Sequence, residues 1–232
     1  AGAAAVLRQR WRQALGHAPG GAALKALLIH GAQPVRRRDG SGEEDRHCAG
    51  FGRLWLAASL PGADGPVLVE DPAGLATGGL REIAWQGPGR LRAVLCWYDA
   101  PGEALINDLD LVLRDASGSV HAWGNHLAGA VGIADRRNTV ECIDVQLGEG
   151  DWTLEVRGVN VPLGPQPWAL AASPGVIVAG TPAAPGTSTA PAEPLPAPRW
   201  RVDLPWTAVR GVGAKRAIEL ERTLPGGIGA LC

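Results

Sequence analysis

From about residue 65 the sequence breaks into short apolar runs that are too closely punctuated to be helices. They read PVLVE (66–70), LREIAWQ (80–86), LRAVLCWYD (91–99), DLDLVLRD (108–115), GSVHAWG (118–124), TVECIDVQL (139–147), DWTLEVRGV (151–159) and PWALAAS (167–173). Turn signals separate them: GPG at 87–89, ASGS at 116–119 and GEGD at 148–151. About eight short strands rich in Val, Leu, Ile and Trp, several of them alternating, predict a mainly β fold. The expected form over residues 63–173 is a jelly-roll-like antiparallel β-sandwich. The 33 Gly and 19 Pro among 232 residues fit such a turn-rich chain. In DLDLVL, Leu109, Leu111 and Leu113 share one strand face, so Asp108 and Asp110 share the other.

Residues 1–62 have another character. AGAAAVLRQRWRQAL is Ala-, Leu- and Arg-rich, a good helix composition, and should stop at Gly16, with Pro19 beyond. GAALKALLIHGA predicts a second short helix ended by Gly31. QPVRRRDGSGEEDRH is an expected exposed loop, and CAGFGRLWLAASL returns toward the helical reading of residues 1–60. No capping side chain precedes the first helix, and the sequence contains no Met, both expected of an excised or processed chain. Residues 174–199 are dominated by Pro, Ala, Thr and Gly and predict an extended linker; residues 200–232 return to helical composition. The net charge of −1 does not advertise a polyanion partner, and no apolar run is long enough to span a bilayer.

Three groups of residues could carry chemistry. The first is NDLD (Asn107, Asp108, Asp110) with DRRNTVE (Asp135, Asn138, Glu141). Carboxylate and amide oxygens suit Ca²⁺, although no EF-hand spacing is present. The same residues fit a hydrogen-bonded turn network with Asp135 paired to an arginine. The second is His121 and His126, with four residues between them, which lack a third or fourth zinc ligand and read as loop histidines. The third is VRGVGAKRAIEL (209–220), which resembles a helix-hairpin-helix motif. There Gly211 and Gly213 would allow a tight turn, and Lys215 and Arg216 would face a nucleic-acid phosphate, making DNA a candidate partner of the tail. Cys48, Cys96, Cys142 and Cys232 have neither CxxC nor zinc spacing; Cys96 and Cys142 read as small buried hydrophobes, a disulfide between them being the other arrangement open. Of the nine Trp, Trp85, Trp97, Trp152 and Trp168 fall in strand runs and should fill the core, while Trp123 is the one placed for exposure in an aromatic sugar platform.

Residues 1–173 resemble the C-terminal part of subtilisin-like serine proteases that carry an appended β-domain. AGAAAVLRQRW resembles the helix that follows the family's Gly-Thr-Ser segment. AALKALLIHGA with GFGRLWLAASL resembles the last core helix and the closing Gly-x-Gly-Arg element. The long stretch from LRAVLCWYD to PWALAAS resembles the appended domain nearly throughout. The resemblance implies that residues 1–62 complete an α/β catalytic domain, whose remainder would be their partner, and that the Ser, His and Asp of the triad lie upstream. It also implies a secreted parent endopeptidase acting on proteins or peptides, and a β-domain able to carry calcium. No G-x-S-x-G or Gly-Thr-Ser-x-Ala-x-Pro is present here, so no catalytic residue is expected in this chain. The other reading of the residues is a non-catalytic β-sandwich module that binds protein or glycan.

Overall fold

The computed structural model describes residues 1–126, 134–174 and 176–177. All belong to one compact unit, Ala1–Thr181; the second unit, Pro182–Cys232, lies outside the described residues, as do Cys232 and most of the expected linker and tail. The fold is mainly β, with two antiparallel sheets and two short helices that precede them.

Eight strands occupy the eight apolar runs: β1 (Val67–Leu75), β2 (Leu80–Gln86), β3 (Gly89–Trp97), β4 (Asp108–Asp115), β5 (Val120–Trp123), β6 (Val140–Leu147), β7 (Asp151–Asn160) and β8 (Gln166–Ala172). A ninth, β9 (Val176–Ile177), pairs with β2 through Trp85 and Ala84. The expected linker thus begins with two β-branched residues that extend a sheet before the Pro- and Ala-rich composition takes over. One sheet runs β1-β8-β3-β6 and the other β5-β4-β7-β2-β9. Leu109, Leu111 and Leu113 of β4 meet Leu91, Leu95 and Trp97 of β3 in a single core, joined by Ile83, Leu154 and Leu170. Trp85, Trp97 and Trp168 are buried in it, and Trp152 packs against it. Trp97 Nε1 donates to the Asn107 carbonyl at 2.9 Å, which satisfies its one polar atom.

The other face of β3 is buried too. Val94 and Cys96, with Ala171 of β8 and Val140 and Cys142 of β6, form a second cluster under two helices. These are α1 (Gly2–Leu15) and α2 (Gly21–His30), which supply Leu7, Trp11, Ala26 and Leu27. Burial on both faces explains why LRAVLCW does not alternate. α1 ends at Gly16, in the left-handed region at φ 79°, whose N–H returns to the Arg12 carbonyl. The end of α2 is held by Arg92, which donates to the Ala32 carbonyl at 2.7 Å and the Ile29 carbonyl at 3.1 Å. Trp11 Nε1 donates to the Ser59 carbonyl at 2.9 Å.

Residues 33–47 form the mostly exposed loop expected, whereas residues 48–60 correct the helical expectation. Only a one-turn helix, α3 (Arg46–Ala49), and a 3₁₀ turn (Leu56–Ser59) form there. The charged stretch folds back on itself through isolated bridges, Gln33 with Arg53 and Arg36 with Glu43. Gly50 and Gly52 take positive φ, which a continuous helix cannot contain; Gly40 and Gly42 do so within the expected loop.

Leu113 is fully buried between the sheets. Leu113→Ala is expected to lower unfolding stability by about 2–5 kcal/mol, the range for a deleted core leucine, read by guanidinium denaturation.

Candidate functional site

Of the six acidic and amide residues singled out for calcium, five, all but Asn107, come together. Asp108 and Asp110 stand on the outer face of β4, set there by the alternation that sends Leu109 and Leu111 inward. Glu141 is on β6, on the core-facing side, in register with Leu95. Asp135 and Asn138 lie in the turn just before β6.

Their organising cation is Arg136, the neighbour of Asp135. Its Nη1 lies 2.8 Å from Asp108 Oδ2 and 2.5 Å from Asp110 Oδ1, and its Nη2 lies 3.3 Å from Asp110 Oδ2. Both aspartates are buried while the guanidinium is half-exposed. The hydrogen bond to Asp110 holds the Arg136 guanidinium even more firmly protonated than usual. Burial pushes the Asp108 carboxyl up, opposed by Arg136 and reinforced by Asp110.

Asp135 has the opposite balance. Burial works against its charge, but donation from the Asn138 amide, the Arg137 N–H and the Asn125 amide holds its carboxyl below the usual range. Those bonds measure 2.6 Å from Asn138 Nδ2, 2.9 Å from Arg137 N and 2.7 Å from Asn125 Nδ2. The turn network expected for Asp135 is therefore present, but the arginine partner belongs to Asp108 and Asp110. Asn107 takes no part. Its side chain donates to the Leu163 carbonyl and to Gln166 Oε1, both at 2.8 Å.

Glu141 is the most extreme group. It is 1% exposed, and its Oε2 accepts the Leu111 N–H at 2.5 Å, tying the edge of β6 to β4. The carboxylate packs directly on Gly124, where any Cβ would collide with it. Burial first, then the charges of Asp110, Asp135 and Asp108, push its carboxyl well above the ordinary range, against the Leu111 hydrogen bond.

Asn125 completes the arrangement. At φ 63° it sits in the left-handed region that Asn tolerates. Its N–H donates to the Cys142 carbonyl at 2.9 Å, its Oδ1 accepts the Cys142 N–H at 3.1 Å, and its Nδ2 donates to the Val140 carbonyl at 2.6 Å. Sequence reading passed over Asn125 and Arg136. The available signals were the Gly-Asn pair after β5 and the Arg-Arg pair after Asp135.

As arranged, most of the cluster's carboxylate oxygens are engaged by donors of the chain itself. Ca²⁺ takes six to eight oxygens, whereas here Arg136 and amide donors already engage both oxygens of Asp110 and of Asp135. Asp108 Oδ1 is the buried carboxylate oxygen left without a partner. Among the described residues no group of three or more His, Cys, Asp or Glu is arranged to hold a metal. His121 packs edge-on against Trp152, ring centroids 4.8 Å apart.

Cys96 and Cys142 are buried free thiols within the helix-facing cluster, and burial pushes the Cys96 thiol up to about 12. Cys48 is a free exposed thiol. Among the described residues no serine hydroxyl pairs with a histidine, and no helix is long and apolar enough to cross a membrane. Gly211, Gly213, Lys215 and Arg216 lie outside the described residues. Compared with protein-family models and with curated proteins, the chain matches none.

The raised Glu141 carboxyl sets a pH dependence. Between the ordinary glutamate value and its folded one, the unfolded chain has lost this proton and the folded chain keeps it, so stability falls as pH rises. Below the ordinary value both states are protonated and the effect vanishes. Glu141→Gln is expected to raise the urea midpoint at pH 8 and to leave it nearly unchanged at pH 4. An equal shift at both pH values would refute the assignment. Calorimetry of chelator-treated protein with Ca²⁺ is expected to show no binding heat; a one-site isotherm would mean that calcium displaces Arg136.

Proposed function

We propose that this chain is the C-terminal portion of a subtilisin-like serine endopeptidase. Residues 1–62 are read as closing helices of the catalytic domain, and residues 63–173 as an appended jelly-roll domain. The observation that carries this reading is the strand order. Sheets ordered 1-8-3-6 and 5-4-7-2 support a jelly-roll reading, and they occur in the stretch that resembles the family's appended domain.

The helices add support. Val6, Leu15, Val35, Leu54 and Trp55 are exposed large apolar side chains within residues 1–62. Such a set fits contact with the rest of a catalytic domain. Arg92 and the Val94–Cys96 face meanwhile fix α2 to the β-rich part. On this reading the chain itself is structural. It stabilises the enzyme, and the parent cleaves peptide bonds through an acyl-enzyme on a Ser-His-Asp triad. The parent is secreted and acts on proteins or peptides.

The test is chemical. The coding sequence just before Ala1 is expected to specify Gly-Thr-Ser-x-Ala-x-Pro. The longer polypeptide is expected to be labelled by a serine-directed phosphonate and to digest casein, and the 232-residue chain to do neither. Absence of the motif, or labelling of the 232-residue chain alone, overturns the reading.

A further inference from the structure

One exposed loop carries three consecutive arginines. Residues 34–43 are all exposed, and Arg36, Arg37 and Arg38 lead into the turn at their centre. Arg37 has a loose carboxylate partner, Glu44 at 3.8 Å, whereas Arg36 and Arg38 have no ion pair among the described residues. The loop is tied by few main-chain bonds. Arg37 N–H donates to the Gly42 carbonyl at 2.9 Å, Gly40 N–H to the Arg37 carbonyl at 3.1 Å, and Glu44 N–H to the Val35 carbonyl at 2.6 Å. A segment with so few tertiary contacts opens at the low end of the local unfolding scale.

Firmer anchors stand on both sides. Gln33 and Arg53 exchange main-chain bonds at 2.8 and 2.7 Å, and α3 begins at Arg46. Opening of residues 34–45 therefore leaves the cluster under α1 and α2 intact. The chain before the arginines is held by groups that come after them. Leu7, Trp11, Ala26 and Leu27 pack on Val94, Cys96, Val140 and Cys142. Arg92 bonds the Ile29 and Ala32 carbonyls, and Trp11 bonds the Ser59 carbonyl. Charge decides what can read the arginines. Residues 35–46 hold four arginines (Arg36, Arg37, Arg38, Arg46) and four acids (Asp39, Glu43, Glu44, Asp45), a net charge of zero. A polyanion responds to summed positive charge, which is absent here. A protease subsite reads side chains one at a time.

We propose that Arg36, Arg37 and Arg38 form a processing site for an endoprotease specific for paired arginines, which cuts the Arg37–Arg38 bond and leaves the two pieces as one folded unit. Exposed loop tips are preferred sites of nicking. Arg37 fills the acidic primary pocket of such an enzyme, and Arg36 the subsite before it. Water adds across the peptide bond, leaving a carboxylate on Arg37 and an amine on Arg38. The bond after Arg38 is less suited, because Asp39 follows it directly and repels an acidic site. The inference does not depend on the reading of the chain as part of a protease.

The probe is trypsin, applied briefly and at low ratio to the full 232-residue chain, with products identified by mass. Within residues 1–177 the first cut is expected after Arg37, ahead of every arginine and lysine on α1, α2 and the strands. The 1–37 piece is expected to co-elute with the remainder on size exclusion in buffer and to separate in guanidinium. The triple variant R36Q/R37Q/R38Q changes exposed side chains and is expected to keep the melting temperature. It should slow release of this piece by at least about a hundredfold, because a pocket built for a cation rejects a neutral amide. Hydrogen exchange of the uncut chain gives a second readout, with the Gly40 and Glu44 amides expected to exchange faster than those of Gln33 and Arg53. Four results would overturn the proposal. They are earlier cutting in α1, α2 or the strands, elution of the 1–37 piece on its own in buffer, equal protection of the two pairs of amides, and retention on heparin at physiological salt that the triple variant loses. The last would assign the arginines to a polyanion.

Discussion

β3 is the element on which the described structure depends. Ala93, Leu95 and Trp97 point into the space between the sheets, while Val94 and Cys96 point under α2. One strand therefore belongs to two apolar clusters. Its neighbours inherit the same demand: Leu170 and Ala172 of β8 face the core, and Ala171 faces the helix. Small residues recur on the helix side, which lets α2 lie close to the sheet. A polar substitution on either face of β3 would leave a buried group without partners, a cost of roughly 1–3 kcal/mol even before packing is lost. Arg92 shows the one tolerated exception. It sits at the border and spends its donors on the carbonyls that end α2.

The acidic end of the molecule follows a different logic. Four carboxylates gather there, and the guanidinium of Arg136 bonds two of them. Asp135 keeps its charge through amide donors, and Glu141, with one backbone donor, is driven toward the neutral form by burial. Removal of one partner from a buried charged group costs more than the pair itself contributes. Arg136 is thus expected to matter through what it prevents. Glu141 of one sheet accepts the Leu111 N–H of the other, a side-chain bond between β6 and β4, which share no ladder, and burial displaces its proton equilibrium.

Much of this was legible in the sequence, for reasons that differ by region. Strand positions could be read because turn residues interrupt each apolar run within a few residues, and the period-2 signal in DLDLVL separates Leu109 from Asp110. The first two helices could be read because Gly16 and Gly31 stop them. Residues 48–60 misled because their Ala and Leu content resembles a helix, whereas left-handed Gly50 and Gly52, which break it, act through backbone geometry. The carboxylates were identified as a group from residue type alone. Which cation serves them was not, because Arg136 reaches back to Asp110, 26 positions earlier in the chain. Asn125 was invisible for a similar reason: its function is a backbone conformation, and its partners are on another strand.

The sheet edges give the last step. An exposed strand edge is a template for unwanted pairing, and proteins blunt it by shortness, proline, bulges or charge. Here β5 spans four residues and β9 two. β1 carries Pro72 and a register shift between Asp71 and Leu75, and Arg81 bonds Asp71 at 3.0 Å beside it. Three of the four edges are therefore blunted along their described length. β6 is long, regular and blunted only at its start, by Asn125. Asp144 on the remainder is bonded bidentately to Arg90 at 2.7 and 2.9 Å, and the outward backbone groups beside it have no backbone partner among the described residues.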